Sequence, residues 1–232
     1  MSMHILITGA SSGVGRALAI KLAKKDLKLS LCGRSSSKMN ETLSDISSKD
    51  NVYAESFCLS DNNKVKKFIL AAQNKLGDVD VLINCAGLNS SRALASSPDY
   101  QQLDWMMKIN FYAPLQFIEL TLPNMLKNRN GIILNVLSTT CLFSNPKTAQ
   151  YSASKAALDS YTKVLRKELL TTGVKVLSVY PGGIDTDFRE KARTEYLSPI
   201  DVADGISNMI FTRSTVHIHE LVLRPEIENN FS

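Results

Sequence analysis

Short runs rich in β-branched residues or leucine punctuate the chain, separated by longer stretches in which apolar positions recur at helical spacing. The runs are HILIT (4–8), LKLSLC (27–32), VYAESF (52–57), VDVLIN (79–84), GIILNVL (131–137), VKVLSVY (174–180) and HELVL (219–223). Between them the pattern predicts helices near 13–25, 38–47, 62–76, 99–127, 151–171 and 199–211. Strands alternating with helices imply right-handed crossovers and a mainly parallel sheet covered on both faces. A run such as VDVLIN, apolar almost throughout, fits a strand buried on both sides. No internal repeat and no linker rich in Pro, Gly or Ser divides the chain. The expectation is one doubly wound α/β domain over residues 1–232 with a seven-stranded sheet. Ligands of such sheets bind outside the carboxyl ends of the strands, so the chemistry is to be sought in the residues that follow each strand.

Composition narrows the function classes. With 232 residues, 44% of them hydrophobic and 21% charged, the chain has the balance of an ordinary globular domain with one sizeable core. The net charge of +5 is modest, and the lysines (Lys21, Lys24, Lys25; Lys64, Lys66, Lys67) scatter along predicted helix faces. No basic stripe interleaved with aromatics appears, so no nucleic-acid partner is expected. A mild positive field does suit an anionic cofactor. The four cysteines (Cys32, Cys58, Cys85, Cys141) form no CxxC pair and read as free thiols of a reducing compartment. Polar Ser2 and His4 lead straight into the first strand, and no apolar run approaches the ~20 residues of a membrane span. The expected protein is soluble and cytoplasmic, with no membrane partner. His217 and His219 alternate on one side of an extended segment but lack a third ligand, so no metal site is expected. Neither an HExxH pattern nor a Ser-His-Asp layout anchors a hydrolase reading.

Two stretches carry candidate chemistry. After the first strand, TGASSGVG (8–15) places Gly9, Gly13 and Gly15 where a tight turn and close backbone approach are needed. The helix opening near Gly13 then offers free N–H groups and the positive end of its dipole to a pyrophosphate. Further on, YSASK (151–155) sets Tyr151 four positions before Lys155, on one face of a helix. A free phenol titrates near ~10, and a neighbouring ammonium moves that value down toward neutrality by stabilising the phenolate. Ser152, Ala153 and Ser154 keep the approach uncrowded.

The GxxxGxG spacing together with Tyr-x-x-x-Lys resembles the short-chain dehydrogenase/reductase family in its compact, single-domain form, from His4 to about Pro225. The resemblance is carried by TGASSGVG, NCAG (84–87), Asn110 in KINF, Ser138 in NVLS, YSASK and PGGIDT (181–186), in that order. It implies a Rossmann-type fold and an oxidoreductase acting on CH–OH and C=O groups. It also implies that Gly9, Ser11, Ser12, Gly13, Val14 and Gly15 hold the cofactor, with Asn84, Ala86 and Gly87 at its ribose and nicotinamide. Tyr151 becomes the proton donor, and Lys155 adds a bond to the nicotinamide ribose. Ser138, at the end of the fifth strand, bonds the substrate oxygen in preference to its neighbours Thr139 and Thr140. Asn110 holds a water that links Lys155 to solvent. Pro181 and Gly182, with Ile184 main-chain groups and the Thr186 hydroxyl, hold the nicotinamide carboxamide.

The end of the second strand bears on cofactor choice. An Asp or Glu there accepts from the 2′-hydroxyl of NAD and repels the 2′-phosphate of NADP. Here Gly33 takes that place, followed by Arg34, whose planar donor fork suits a phosphate, and by Ser35. NADP(H) is the expected cofactor. The family's usual Asp after the third strand is replaced by Cys58, leaving backbone groups at Leu59 to cradle the adenine and Asp61 to cap the next helix.

Only about a dozen residues separate Thr186 from the helix near Pro199, a short substrate lid. Phe188, Tyr196 and Leu197 are expected to form a small apolar wall opposite Leu88, Leu94, Leu142 and Phe143, over an open cleft suited to a bulky or carrier-bound carbonyl. The helices over 99–127 and 151–171, with Ala153, Ala156 and Ala157 permitting close approach, resemble those through which family members form a homodimer or homotetramer. The leading functional expectation is an NADPH-dependent carbonyl reductase, or the reverse alcohol dehydrogenase. A 3-oxoacyl-carrier-protein reductase is the first alternative and a non-catalytic dinucleotide-binding sensor the second.

Overall fold

The computed structural model describes residues 2–143, 145–186, 193–213 and 215–228. Its strands are β1 (His4–Thr8), β2 (Lys28–Gly33), β3 (Val52–Ser56), β4 (Val81–Asn84), β5 (Gly131–Val136), β6 (Val174–Pro181) and β7 (Glu220–Leu223). Its helices are α1 (Gly13–Ala23), α2 (Ser36–Ser44), α3 (Asn62–Leu76), α4 (Tyr100–Met107), α5 (Ala113–Asn128), α6 (Ala149–Glu168) and α7 (Pro199–Ile210). The strands form one sheet in the order β3-β2-β1-β4-β5-β6-β7, and every pairing is parallel. The chain starts at the centre, runs out to one edge, then returns to β4 and runs out to the other. This is the doubly wound, Rossmann-type α/β fold, and the reversal opens a crevice between the carboxyl ends of β1 and β4.

Alternation within the apolar strands explains how both faces are covered. Ile5, Ile7, Val81 and Ile83 pack with Val14, Leu18 and Leu22 of α1 and Val202, Ile206 and Met209 of α7. Leu6, Leu82, Ile133 and Val176 point the other way, into a second core with Phe68 and Ile69 of α3 and Phe117 and Ile118 of α5. Successive side chains of a strand face opposite sides, so a strand with both faces covered is apolar at most positions and needs hydrogen-bond partners for any polar residue it carries.

Element ends follow local chemistry. Asp61 caps α3 by accepting from the amides of Asn63 and Lys64, Asp99 caps α4 from Gln102, and Ser198 and Asp201 form a capping box on α7. The stretch expected as one helix over 99–127 is instead two helices joined by a π-helical turn, Lys108–Tyr112. Pro114 has no amide to offer the Asn110 carbonyl four residues earlier, and the wider turn absorbs that missing bond. Among the described residues, no helix is long and apolar enough to cross a membrane.

Beneath the crevice lies a short buried polar ladder. Asn84 Nδ2 donates to Asn135 Oδ1 (2.9 Å), and Asn135 Nδ2 donates to Thr162 Oγ1 (2.8 Å), tying β4, β5 and α6 together. Removing Asn135 leaves the buried Asn84 amide without its best acceptor. Asn135→Ala is expected to destabilise the chain by about 1–3 kcal/mol in urea denaturation of cofactor-free protein; an unchanged midpoint would show that the ladder contributes nothing to stability.

Candidate functional site

A cleft of about 830 Å³ opens at the carboxyl ends of the strands. The loop from Gly9 to Gly15 forms its floor, through Gly9, Ser11, Ser12, Gly13, Val14 and Gly15. Arg34, Ser35 and Leu59 line one end, Ala86 and Gly87 the middle, and Ser138, Tyr151, Lys155, Pro181, Gly182, Ile184 and Thr186 the other end. Two residues expected at the site are set back from its surface. Asn84 and Asn110 are buried below the cleft and do not line it. Asn84 points sideways into the ladder, its amide engaged by Asn135.

The floor is shaped by backbone touching backbone. Gly9 has φ +72°, and a Cβ on Gly15 would stand 2.3 Å from the Gly9 carbonyl oxygen, so the turn closes only with glycine at both positions. Thr8 fixes the loop to its neighbour, its Oγ1 accepting from the amides of Cys85 and Ala86, both at 3.1 Å. At the start of α1, Ser12 makes no side-chain cap bond, unlike Asp61 and Asp99 on their helices. The first-turn amides of α1 therefore keep their donors for whatever occupies the cleft, and that cradle fits the pyrophosphate of a dinucleotide.

At the end of the cleft beside β2 and α2, Arg34 is exposed at the rim. Ser35 lines the cleft, but its hydroxyl also caps α2, accepting from the Lys38 amide at 3.3 Å. Lys38 lines the cleft as well, one helical turn beyond Arg34, a second cation the sequence reading did not single out. Its spacing from Arg34 was the available signal. Cys58, in place of the family's acidic residue, lines the same end, with Sγ 3.1 Å from Ser60 Oγ.

At the other end, Lys155 is 3% exposed. Its Nζ donates to the carbonyl of Val136, the last residue of β5, at 2.9 Å, and it lies against Gly87. No ion pair to it occurs among the described residues. The neighbouring thiols offer no counter-charge, because burial pushes Cys85 up to about 12 and Cys141 up to about 11. Burial in turn holds the Lys155 ammonium below the ordinary lysine value. Ser138 has extended backbone before the 3₁₀ turn Thr139–Cys141, and its Oγ accepts from the Thr140 amide at 3.2 Å. Tyr151 stands in the first turn of α6, half-buried at the cleft wall.

Asn110 acts as a bracket. Its Oδ1 accepts from the Leu88 amide (2.8 Å), and its Nδ2 donates to the Leu88 carbonyl (2.8 Å) and to Ser154 Oγ (2.9 Å). Ser154 passes the contact on, donating to the Tyr151 carbonyl at 2.8 Å. Between Tyr151 and Lys155 the sequence reading saw only small residues, yet the Ser154 hydroxyl couples α6 to the loop after β4.

The expected apolar substrate wall is largely absent. Leu88 and Tyr196 line the cleft, whereas Leu94, Leu142, Phe143 and Leu197 do not. Leu197 packs into the core beside α7, and the Phe143 ring stacks under Arg224. Phe188 lies outside the described residues. The substrate end is instead bordered by Asn89, Arg92, Trp105, Ile109, Asn145 and Glu228, a more polar wall than the leucines suggested.

Residues 3–197 match the family model described as short chain dehydrogenase. The chain belongs to the short-chain dehydrogenase family. It is 33% identical over 225 residues to an uncharacterized oxidoreductase of Staphylococcus saprophyticus, covering 95% of this chain and 96% of the relative. Among solved structures, the closed form of serine dehydrogenase complexed with NADP+ has the same fold, with a TM-score of 0.91 at 21% identity over 99% of this chain and 98% of that one. ElxO with NADP bound has a TM-score of 0.87 at 26% identity, covering 96% and 97% of the two chains.

In this short-chain dehydrogenase the buried ammonium has a measurable signature. Lys155 titrates below its ordinary value of 10.5 in the native chain. As pH rises through the lowered native value toward the unfolded one, the native state sheds this proton while the unfolded state keeps it, so the lysine's contribution to stability grows with pH. In urea denaturation of cofactor-free protein, the stability difference between wild type and Lys155→Met is expected to shift in favour of wild type from about pH 7 to about pH 10. A difference that stays flat would show that burial does not act on this ammonium.

Proposed function

We propose that the chain is an NADPH-dependent oxidoreductase of one catalytic domain that interconverts a carbonyl and an alcohol. The observation that carries the reading is the shared cleft: Ser138 and Tyr151 line the same cavity as the glycine cradle and Arg34, with Lys155 buried at its wall. Bound in that cradle, NADPH would supply a hydride to a carbonyl carbon. The chain's part is to meet the charge that develops on the oxygen. Tyr151 donates the proton, and the Lys155 ammonium one helical turn away stabilises the phenolate left behind. Ser138 offers its hydroxyl to the same oxygen. Asn110 holds the loop after β4 and α6 in register, so that Gly87, Tyr151 and Lys155 keep their spacing.

NADP rather than NAD is favoured by the two cations at the adenine end, Arg34 and Lys38, and by Gly33 where a carboxylate would repel the 2′-phosphate. Serine dehydrogenase and ElxO, which resemble this chain, were both solved with that cofactor. We also read the chain as self-associating through α4, the π-helical turn, α5 and α6, where Tyr112 (58% exposed) and Val164 (54%) present apolar surface for a second copy. The substrate is a small or carrier-bound carbonyl compound, and the polar border of Asn89 and Arg92 favours one with groups able to hydrogen-bond.

NADPH oxidation against a panel of ketones, aldehydes and acyl thioesters tests the reaction and separates simple carbonyls from carrier-bound ones. Tyr151→Phe is expected to lower kcat by about 10²–10⁴-fold, the usual worth of a positioned proton donor, with NADPH binding retained. Undiminished turnover would remove Tyr151 from the chemistry, and NADPH binding without turnover on any carbonyl would favour a sensor. Arg34→Ala is expected to raise KM for NADPH by about tenfold or more while leaving KM for NADH nearly unchanged, as loss of a charge-assisted phosphate contact would. Equal effects on the two cofactors would overturn the NADP assignment.

A further inference from the structure

The segment after β7 turns back onto the cleft. Glu228 Oε1 accepts from the Gly183 amide at 2.6 Å, and the residue lines the cleft. A Cβ on Gly182 would stand 2.3 Å from Glu228 Oε2, so the carboxylate fills the space that any side chain at 182 would need. Arg224, 7% exposed, brings Nε to 3.5 Å from Glu228 Oε2 and sets its guanidinium 4.7 Å from the Phe143 ring centroid. Phe143 follows the turn that begins after Ser138. The five residues Arg224–Glu228 thus bridge the two loops that border the reacting end, one after β5 and one after β6. They lie beyond residues 3–197, the part matched by the family model.

Two consecutive glycines make the loop after β6 intrinsically soft, so its shape depends on outside anchors. Among the described residues three are present at the glycines: Gly182 N donates to Leu223 O (2.7 Å), Leu197 N donates to Gly183 O (3.1 Å), and Gly183 N donates to Glu228. Only the last uses a side chain, and its charged acceptor makes it the strongest in kind.

We propose that Glu228 is a positioning residue for the Pro181–Thr186 loop, setting the orientation in which that loop holds a nicotinamide ring between Tyr151 and Ser138. The inference rests on the NADPH reading above. Because the pyrophosphate cradle and Arg34 are untouched, a loosened loop is expected to affect the ring and not the grip on the dinucleotide.

The test compares the full chain with Glu228→Ala, Glu228→Gln and Gly182→Ala, by the time-resolved fluorescence anisotropy of bound NADPH alongside kcat, KM and the NADPH dissociation constant. Glu228→Ala is expected to add a fast depolarising component to the nicotinamide emission and to lower kcat by about tenfold or more, with the dissociation constant within about threefold, since small misplacement of reacting groups costs rate steeply. Glu228→Gln, whose amide oxygen can still accept from Gly183, is expected to recover most of both losses. Gly182→Ala, whose methyl group displaces the carboxylate, is expected to reproduce Glu228→Ala and carries the comparison if that variant does not fold. The proposal is overturned if Glu228→Ala keeps wild-type anisotropy and kcat, if Gln is as impaired as Ala, or if the dissociation constant rises in step with the fall in kcat. Wild type that binds NADPH but turns over no carbonyl overturns only the catalytic reading, because the anisotropy comparison still decides the role of Glu228. Failure of wild type to bind NADPH overturns both.

Discussion

The ammonium of Lys155, buried with no carboxylate paired to it among the described residues, is the constraint around which the reacting end is built. An isolated buried charge is costly, and a chain that needed only a filled core would place Met or Leu there. The structure lessens the cost with dipoles: the Val136 carbonyl accepts from Nζ, and the Asn110 side chain lies close by across Gly87. Each comes from a different segment, so the charge is tolerated only when β5, the loop after β4, the π-helical turn and α6 are all in place. A group that requires four segments to be in register also reports on their register, which makes it suited to a site that tolerates little misplacement.

Two polar networks hold that register from below. The Asn84–Asn135–Thr162 ladder fixes the ends of β4 and β5 against α6. The Asn110 bracket ties Leu88 to Ser154, and through Ser154 to the Tyr151 backbone. Both run through the body of the protein rather than across the cleft surface, so they orient the lining residues without occupying their space. The π-helical turn is part of the same arrangement: Pro114 breaks the ordinary ladder at Asn110, and the distortion falls at the residue that does the bracketing. Irregular backbone here coincides with a position that a straight helix would present differently.

The sheet was legible because both faces are covered, which favours apolar residues at nearly every strand position and leaves little ambiguity in type. The glycine loop, Ser138, Tyr151 and Lys155 were legible because each directly follows a strand or shares a helix face, and local spacing carries that information. What escaped were contacts made across long sequence separations. Asn84 read as a cleft residue because of its place at the end of β4, while its partner Asn135 lies on a neighbouring strand and could not be seen. Lys38 escaped because a lysine near a helix start is ordinarily solvated surface. The leucine wall failed for a related reason: Leu197 was needed by the core beside α7, and hydrophobic character alone does not say which of two apolar environments a residue will join. Gly182 read as a turn residue, yet the side chain that requires it to be glycine is Glu228, forty-six positions away.

Placement, more than net charge, sets the field inside the cleft. The net charge of +5 would be a weak attractant if spread evenly over the surface. Several exposed charges are instead neutralised in pairs on the outer helices, Arg16 with Glu41 and Asp45, and Lys21 with Asp204. The α1 amides, Arg34, Lys38 and Lys155 bring positive ends to one cavity. They differ in how solvent reaches them. Arg34 sits at the rim, where salt at physiological strength screens charges beyond about 8 Å, whereas Lys155 acts through protein and is screened far less. The rim cations therefore suit recognition of an arriving anion, and the buried one suits control of a proton. Their opposite exposure follows from where β2 and α6 deliver them, one at the open edge of the crevice and the other buried at its wall.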